Sequence, residues 1–327
     1  MNRAQLARLA IPVGLILLLI AFNVSRTPGF LSIHMVNGAW NGSLIDILNR
    51  AAPIMILSFG MTLVIATAGV DLSVGSLLAI SGSLAAYLVT KQDALPFSAI
   101  VFLTLGLTTF LGLINGFLVG FLKIQPIVAT LVLMVAGRGV AQLITEGQMV
   151  RLSDQALTYW SASRLFGLPT SILVALLVGG VAAMVTRATA LGLFVEATGE
   201  NDRAARAAGV PINGIRMFVY AFSGLCAGVA GLVVMSDTRV ADANSAGLYT
   251  ELDAILSVVL GGTLLTGGRF SLLGSALGAL LIQTLTTTIL TTGVKPEANL
   301  VVKAVAVLTA CLIQSEQFRS KFRRRTA

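Results

Sequence analysis

The chain is a succession of long apolar segments separated by short polar connections. A hydrocarbon core about 30 Å thick takes about 20 apolar residues per helical crossing. On that measure, candidate spans run at 9–24, 51–68, 72–90, 97–120, 126–145, 169–186, 217–237, 252–266, 271–290 and 298–314. Little is left for a water-facing core. Of 327 residues, 56% are hydrophobic and 11% are charged, against roughly 25% charged in a soluble domain. Backbone groups in hydrocarbon must pair internally. The expected fold class is therefore an all-α membrane protein of about ten transmembrane helices in a single domain over 1–327. The third, eighth and tenth segments are the weakest. Some segments are short for a full crossing, so one or two helices are expected to be broken or re-entrant.

Basic residues in the connections set the expected orientation. With the N-terminus inside, Arg3, Arg8, Lys123, Arg187, Arg203, Arg206, Arg216 and Arg269 fall inside, together with Arg319, Lys321, Arg323, Arg324 and Arg325 of the tail. The smaller set Arg26, Arg50, Lys91, Arg151, Arg164, Arg239 and Lys295 falls outside. Both termini are thus expected in the cytoplasm. The net charge of +8 reads as positive loops and a basic tail over 315–327 at an anionic leaflet, not as a nucleic-acid surface. The first apolar run, residues 11–22, has the outline of a signal peptide, but no small-residue cleavage site follows it, and an uncleaved helix is expected. Tyr159 and Trp160 in the outer connection are candidate interface anchors. Cys226 and Cys311 read as small hydrophobes, and His34 as a loop residue.

No phosphate-binding Walker motif, zinc motif, nucleophile elbow or Cys/His cluster is present, so the chain is expected to be no enzyme and to bind no cofactor of its own. Polar residues at membrane depth are then the functional candidates. Asp71 lies in a Gly-rich break; it lines a path or, with Ser73, caps the next helix. Asn115 sits mid-span, lining a path or bridging helices. Arg138 must snorkel, pair or face water, and Gln142 shares its helix face. Lys303, near a span end, is expected to snorkel outward. Thr62 and Thr67 complete the set of candidate path residues.

An echo joins two regions. At an offset of 199, Thr67, Gly69, Gly75, Ser76 and Leu78 meet Thr266, Gly268, Gly274, Ser275 and Leu277. It reads as an internal two-fold repeat of the kind transporters carry or as chance matching in a chain with 33 glycines. The most polar connection, 187–216, holds a short Ala-rich helix, capped by Asn201 or Asp202 and stopped by Gly209. Too short to stand alone, it is expected to dock on another chain or on this chain's own helices.

The segment Gly60-Met-Thr-Leu-Val-Ile-Ala-Thr-Ala-Gly-Val-Asp-Leu-Ser-Val-Gly75 closely resembles the signature of the ribose-type sugar permeases, membrane subunits of bacterial ATP-binding-cassette importers for monosaccharides. The stretch Glu196-Ala-Thr-Gly-Glu-Asn201, with Ala204, Ala205 and Gly209, is similar to that family's cytoplasmic loop. The likeness extends over almost the whole chain. Ile45–Pro53, Lys123–Leu131, Val135–Thr145 and Ala241–Leu248 point within the family toward galactofuranose importers. One departure is Ala68-Gly69-Val70, where the family usually has Gly-Gly or Gly-Ile.

The resemblance implies a non-catalytic subunit in the bacterial inner membrane. It implies that 187–216 couples to a separate ATPase carrying ATP and Mg, through Glu196, Ala197, Gly199, Asn201, Ala204, Ala205 and Gly209. It further implies a periplasmic sugar-binding protein and a second permease subunit, which need not be identical. The sugar is expected to be galactofuranose, with ribose or another simple sugar as alternatives. A stand-alone secondary carrier is the competing function; it would need a carboxylate relay within the spans, which the sequence does not display.

Overall fold

A computed structural model describes residues 3–36, 38–91, 95–152, 164–293, 300–305 and 308–309. Eleven helices are present among the described residues: α1 (Arg3–Arg26), α2 (Ser43–Ala66), α3 (Val74–Lys91), α4 (Phe97–Gly120), α5 (Pro126–Ile144), α6 (Thr170–Ala188), α7 (Leu191–Glu200), α8 (Asp202–Ala207), α9 (Ile212–Thr238), α10 (Thr250–Leu260) and α11 (Leu272–Thr291). Seven are long and apolar enough to cross a membrane: α1, α2, α4, α5, α6, α9 and α11. The apolar part of α3 covers Val74–Thr90, and α10 has 11 residues. Tyr159, Trp160, Cys311 and the tail 315–327 lie outside the described residues, as does most of the segment expected at 298–314.

Burial separates a centre from a rim. The apolar windows of α2, α9 and α11 are 67, 61 and 56% buried, those of α4, α5 and α6 22% and that of α1 11%. Large apolar side chains on the rim point outward, among them Phe102 and Phe110 of α4, Val132 and Val135 of α5, and Leu176 and Met184 of α6. That is the arrangement lipid selects. Inside, lipid offers no hydrophobic gain from joining helices, so close approach through small residues has to supply the contact. Gly112 and Gly224 meet where α4 crosses α9: a Cβ on Gly224 would stand 3.1 Å from the Gly112 Cα and against the Thr108 carbonyl. A stripe of small residues continues the seam, with Gly116 against Met217 and Gly228 against Thr108. Buried hydroxyls such as Ser58, Thr104 and Thr186 donate to the carbonyl four residues back, which removes most of the cost of placing them there.

Gly224→Leu is therefore expected to prise α4 from α9 and to destabilise the bundle by about 1–3 kcal/mol. Gly180→Leu, at a position with open space around it, should leave the midpoint of thermal unfolding in detergent unchanged. Equal midpoints for the two variants would remove the seam from the account.

Three short antiparallel ladders were not expected: β1 (His34–Val36) with β2 (Ala39–Asn41), β3 (Val150–Arg151) with β6 (Val240–Ala241), and β4 (Arg164–Leu165) with β5 (Leu168–Pro169). All lie in connections, where hairpin pairing satisfies backbone groups that no helix covers. The Trp40 N–H donates to the Gly167 carbonyl at 2.9 Å, so the connection before α2 packs on the connection before α6. His34 is in a strand edge rather than a plain loop. Cys226 is buried and apolar in its surroundings, as expected. Lys303 corrects an expectation. It does not snorkel; its ammonium sits 2.9 Å from both carboxylate oxygens of Asp253 on α10, and both side chains are largely buried. A cation at that depth is held by a partner when one is within reach.

Candidate functional site

Two stretches of chain inside the bundle are not helical, the first between α2 and α3 and the second between α10 and α11. Non-helical backbone at membrane depth persists only when its polar groups are paired. In the first break the Ala68 N–H donates to Ile65 O at 2.9 Å, the Gly69 N–H to Val64 O at 3.1 Å, and the Tyr220 hydroxyl to Val70 O at 3.3 Å. Thr67, at the end of α2, turns its hydroxyl back to Val64 O at 2.8 Å.

Asp71 is fully buried and serves as the clasp of this break. Its Oδ1 accepts the Ser73 N–H at 3.0 Å and the Ser73 hydroxyl at 2.6 Å, and its Oδ2 accepts the Ser223 hydroxyl of α9 at 2.8 Å. Asp71 thus closes a turn on Ser73, the residue before α3, rather than accepting an N–H from the first turn of that helix. Asn115 of α4 donates its amide to the Ser73 hydroxyl at 3.0 Å, the bridging alternative of the two the sequence left open. The Asn115 Oδ1 is buried and has no partner among the described residues. Thr62 donates to the Ser275 hydroxyl of α11 at 2.7 Å. Asp71 and Asn115 thus share a buried polar cluster through Ser73 that joins the first break to α4 and α9, while Thr62 bridges α2 to α11 and Thr67 bonds back onto α2.

Arg138 and Gln142 are elsewhere. Both grip the segment between β6 and α10. Arg138 donates to Ala243 O at 3.1 Å and to Ala246 O, and Gln142 donates to Asn244 Oδ1 at 2.9 Å. Asp242 shapes this segment by accepting the Asn244 N–H at 2.9 Å and the Ser245 hydroxyl. Those bonds, the Ser245 hydroxyl first, hold its carboxyl below the usual carboxylate range, so it remains an acceptor at neutral pH. Arg138→Ala should release this strap. A single cysteine at Ser245 is expected to react with a membrane-impermeant maleimide about 10–150-fold faster in that background, the equivalent of roughly 1.5–3 kcal/mol for a charged hydrogen bond. An unchanged labelling rate would show the strap held by other contacts.

The second break meets the first. The Gly268 N–H donates to Ala66 O, the last residue of α2, at 2.9 Å. Gly267 and Gly268 both have positive φ, a conformation glycine adopts without steric cost. Gly199 of α7 rests on this junction. A Cβ there would collide with the Ala66 carbonyl and stand 2.5 Å from the Gly268 nitrogen. A helix of the 187–216 connection thus touches the ends of both breaks at one point.

The connection itself is two helices rather than a loop. Asn201 is the cap of α8; its Oδ1 accepts the Ala204 N–H at 3.0 Å. The end of α8 closes as a Schellman turn, with the Gly209 N–H on Arg206 O at 3.1 Å and the Val210 N–H on Ala205 O at 3.0 Å. Ala205 is the buried residue of α8, while Ala204 and Gly209 are exposed. Asp202 ties the helix to α9 through Arg216 at 3.2 Å. Glu196 and Ala197 are half-buried, and Glu196 lines a cavity of about 340 Å³ with Arg187 and Ser271, beside the start of α11. The outer surface of α8 is mixed, with Ala204, Ala207 and Ala208 exposed beside the exposed Arg203 and Arg206. Ser223, Gly267 and Asp253 are the residues that sequence reasoning did not single out as candidates. The signal for Asp253 was visible, since an acid in an apolar run demands a partner.

A family model described as the permease component of branched-chain amino acid transport systems matches residues 43–311. The galactofuranose transporter permease of Escherichia coli strain K12 is 51% identical over 308 residues, covering 94% of this chain and 89% of that protein. The fructose import permease of Bifidobacterium longum strain NCC 2705 is 38% identical, covering 89% and 82%. The ribose import permease of Escherichia coli strain K12 is 35% identical, covering 92% of each chain. No solved structure matches. With most of its length matched by the family model, and with apolar helices built around two paired breaks, the chain belongs to the family of branched-chain amino acid transport system permease components.

Proposed function

We propose that this chain is the membrane-spanning permease of an ATP-binding-cassette importer for a monosaccharide, with galactofuranose as the favoured sugar. The observation that carries the choice of sugar is the ranking of its relatives: 51% identity to a galactofuranose permease against 38 and 35% to fructose and ribose permeases. Ribose or another simple sugar is the alternative. The subunit is non-catalytic. ATP and Mg belong to a separate ATPase, and this chain holds no cofactor.

In this reading the chain is one transmembrane domain of the bacterial inner membrane with both termini in the cytoplasm. The basic tail 315–327 lies at the anionic leaflet, and 187–216 faces the ATPase. Glu196, Ala197, Gly199, Asn201, Ala204, Ala205 and Gly209 form the coupling element. The alanines and arginines exposed on α8 present it to the partner, and its neighbour's Gly199 contact passes a push to α2 and to the second break. Alternating access against a second permease, non-identical in the galactofuranose reading, then moves the sugar delivered by a periplasmic binding protein. Thr62, Thr67, Asp71 and Asn115 border the path at the first break, with Arg138 and Gln142 at the far end.

About ten crossings follow if α3, α10 and the 298–314 segment join the seven long helices as partial or full spans. A two-fold repeat is supported by matched local geometry. Gly75 abuts Gly247 near the start of α3, and Gly274 abuts Gly261 near the start of α11. The following serines, Ser76 and Ser275, both bond back into their caps, at 2.8 and 3.1 Å. Against a secondary carrier, Asp71 is held by two serines and Asp253 by Lys303, so neither is a free proton carrier.

The sugar assignment is tested by titrating the partner binding protein calorimetrically with galactofuranose, ribose and fructose. Tightest binding of galactofuranose is expected. A binding protein that takes no furanose or pentose removes the galactofuranose reading and leaves the permease reading standing.

A further inference from the structure

The turn between α4 and α5 faces α8 and the start of α9 across a pocket of about 780 Å³. Its rim holds four cations, Lys123, Arg203, Arg206 and Arg216, against one carboxylate, Asp202. That carboxylate is already shared by Arg216 at 3.2 Å and Arg206 at 3.6 Å. Lys123 and Arg203 have no ion pair among the described residues. Lys123 also has a φ of +56°, a left-handed conformation that a long side chain rarely takes. The positive charge converges on one cavity and is only partly compensated within the chain.

The surroundings of the pocket indicate its occupant. Its floor is apolar, formed by Val119, Ile124 and Pro126. Around the same turn, Phe121, Leu122, Ile127 and Val128 are about half exposed, and the exposed Phe117 stacks on Phe121 at a centroid distance of 5.5 Å. An acidic protein face would match the cations but would leave this apolar shoulder uncovered. A phospholipid satisfies both, with its phosphate among forked guanidiniums and a lysine and its acyl chains along the phenylalanines. We propose that this pocket binds the phosphate headgroup of an anionic phospholipid and thereby ties the α4–α5 turn to α8. The proposal rests on the bundle residing in a membrane, and it stands whichever sugar is carried.

The test is native mass spectrometry of the assembled transporter released from nanodiscs containing phosphatidylglycerol and phosphatidylcholine. One tightly retained phosphatidylglycerol per copy of this chain is expected. Occupancy should fall about fivefold for each cation removed in Lys123→Gln and Arg203→Gln, given about 1 kcal/mol per cation near an anionic surface. Lys123→Arg with Arg203→Lys should restore it, which separates charge from folding. In nanodiscs of phosphatidylcholine alone, inorganic phosphate should give no shift in thermal midpoint. Retention of phosphatidylglycerol by the double Gln variant overturns the proposal. So does a phosphate-induced stabilisation without anionic lipid, which would make the site one for a free anion. Loss of the ATPase subunit from the Gln variants with lipid retention unchanged would assign the pocket to an acidic protein face instead, and would equally overturn it.

Discussion

Gly199→Ala is expected to disconnect ATP hydrolysis from sugar uptake. The substitution adds one methyl group at the single point where α7 rests on both the end of α2 and the Gly267–Gly268 turn. The Ala66 carbonyl and the Gly268 amide that the methyl would strike are bonded to each other at 2.9 Å, so neither can yield without breaking that bond. Coupling free energies between sites are typically about 1–3 kcal/mol, or about 5–150-fold. Binding-protein-stimulated hydrolysis and uptake in proteoliposomes should fall within that range, while the assembled complex retains basal hydrolysis. Glu196→Ala, at the wall of the neighbouring cavity, should give a smaller loss, since it removes side-chain atoms there and places none against the Ala66–Gly268 junction. Full uptake by both variants would show that force reaches the bundle by another route.

Asp71→Leu is expected to cost more stability than any other single polar substitution in the first break. It strands the Ser73 N–H and the hydroxyls of Ser73 and Ser223 in a region closed to water. At about 1–3 kcal/mol for each buried donor left unpaired, the loss should be about 3–9 kcal/mol. Asp71→Asn keeps one oxygen acceptor and should recover about half of it. The comparison is read as unfolding midpoints in nanodiscs, beside uptake. A leucine variant with an unchanged midpoint and abolished uptake would instead place Asp71 on the sugar path.

These two sites differ in how far the sequence announced them. The Asp71 clasp was half legible. An Asp two residues before a serine in a Gly-rich break marks a local turn, and Asp71 does accept from Ser73; the second half of the clasp, Ser223, is one serine in a long apolar helix with no pattern to set it apart. The α8 boundaries were legible because Asn201 and Gly209 act locally, through bonds three to five residues long. The Gly199 junction was not legible. It joins residues of three distant segments through backbone atoms and absent side chains, and a glycine that admits a neighbouring carbonyl looks in sequence like any other glycine in a Gly-rich chain.

The limits of α10 show the same contrast. The apolar run continues through Thr263, Leu264 and Leu265, which made a span over 252–266 reasonable, yet the helix stops at Leu260. Gly261 packs directly on Gly274, and Gly262 takes a positive φ. Tertiary contact ended the helix where hydrophobicity would have extended it. That Asp253 needs a partner was legible; that the partner is Lys303 was not. Each residue alone reads as an end-of-span charge, and only the approach of the C-terminal segment to α10 turns them into partners.

The central claim is that this chain forms a sugar path whose energy comes from another subunit. The most direct measurement is accumulation of labelled galactofuranose in proteoliposomes containing this chain, its partner permease, the ATPase and the binding protein. The account predicts uptake that requires ATP and the binding protein together and is indifferent to ionophores. Accumulation by the chain without ATP, abolished when the ion gradient is collapsed, would contradict it and establish a secondary carrier.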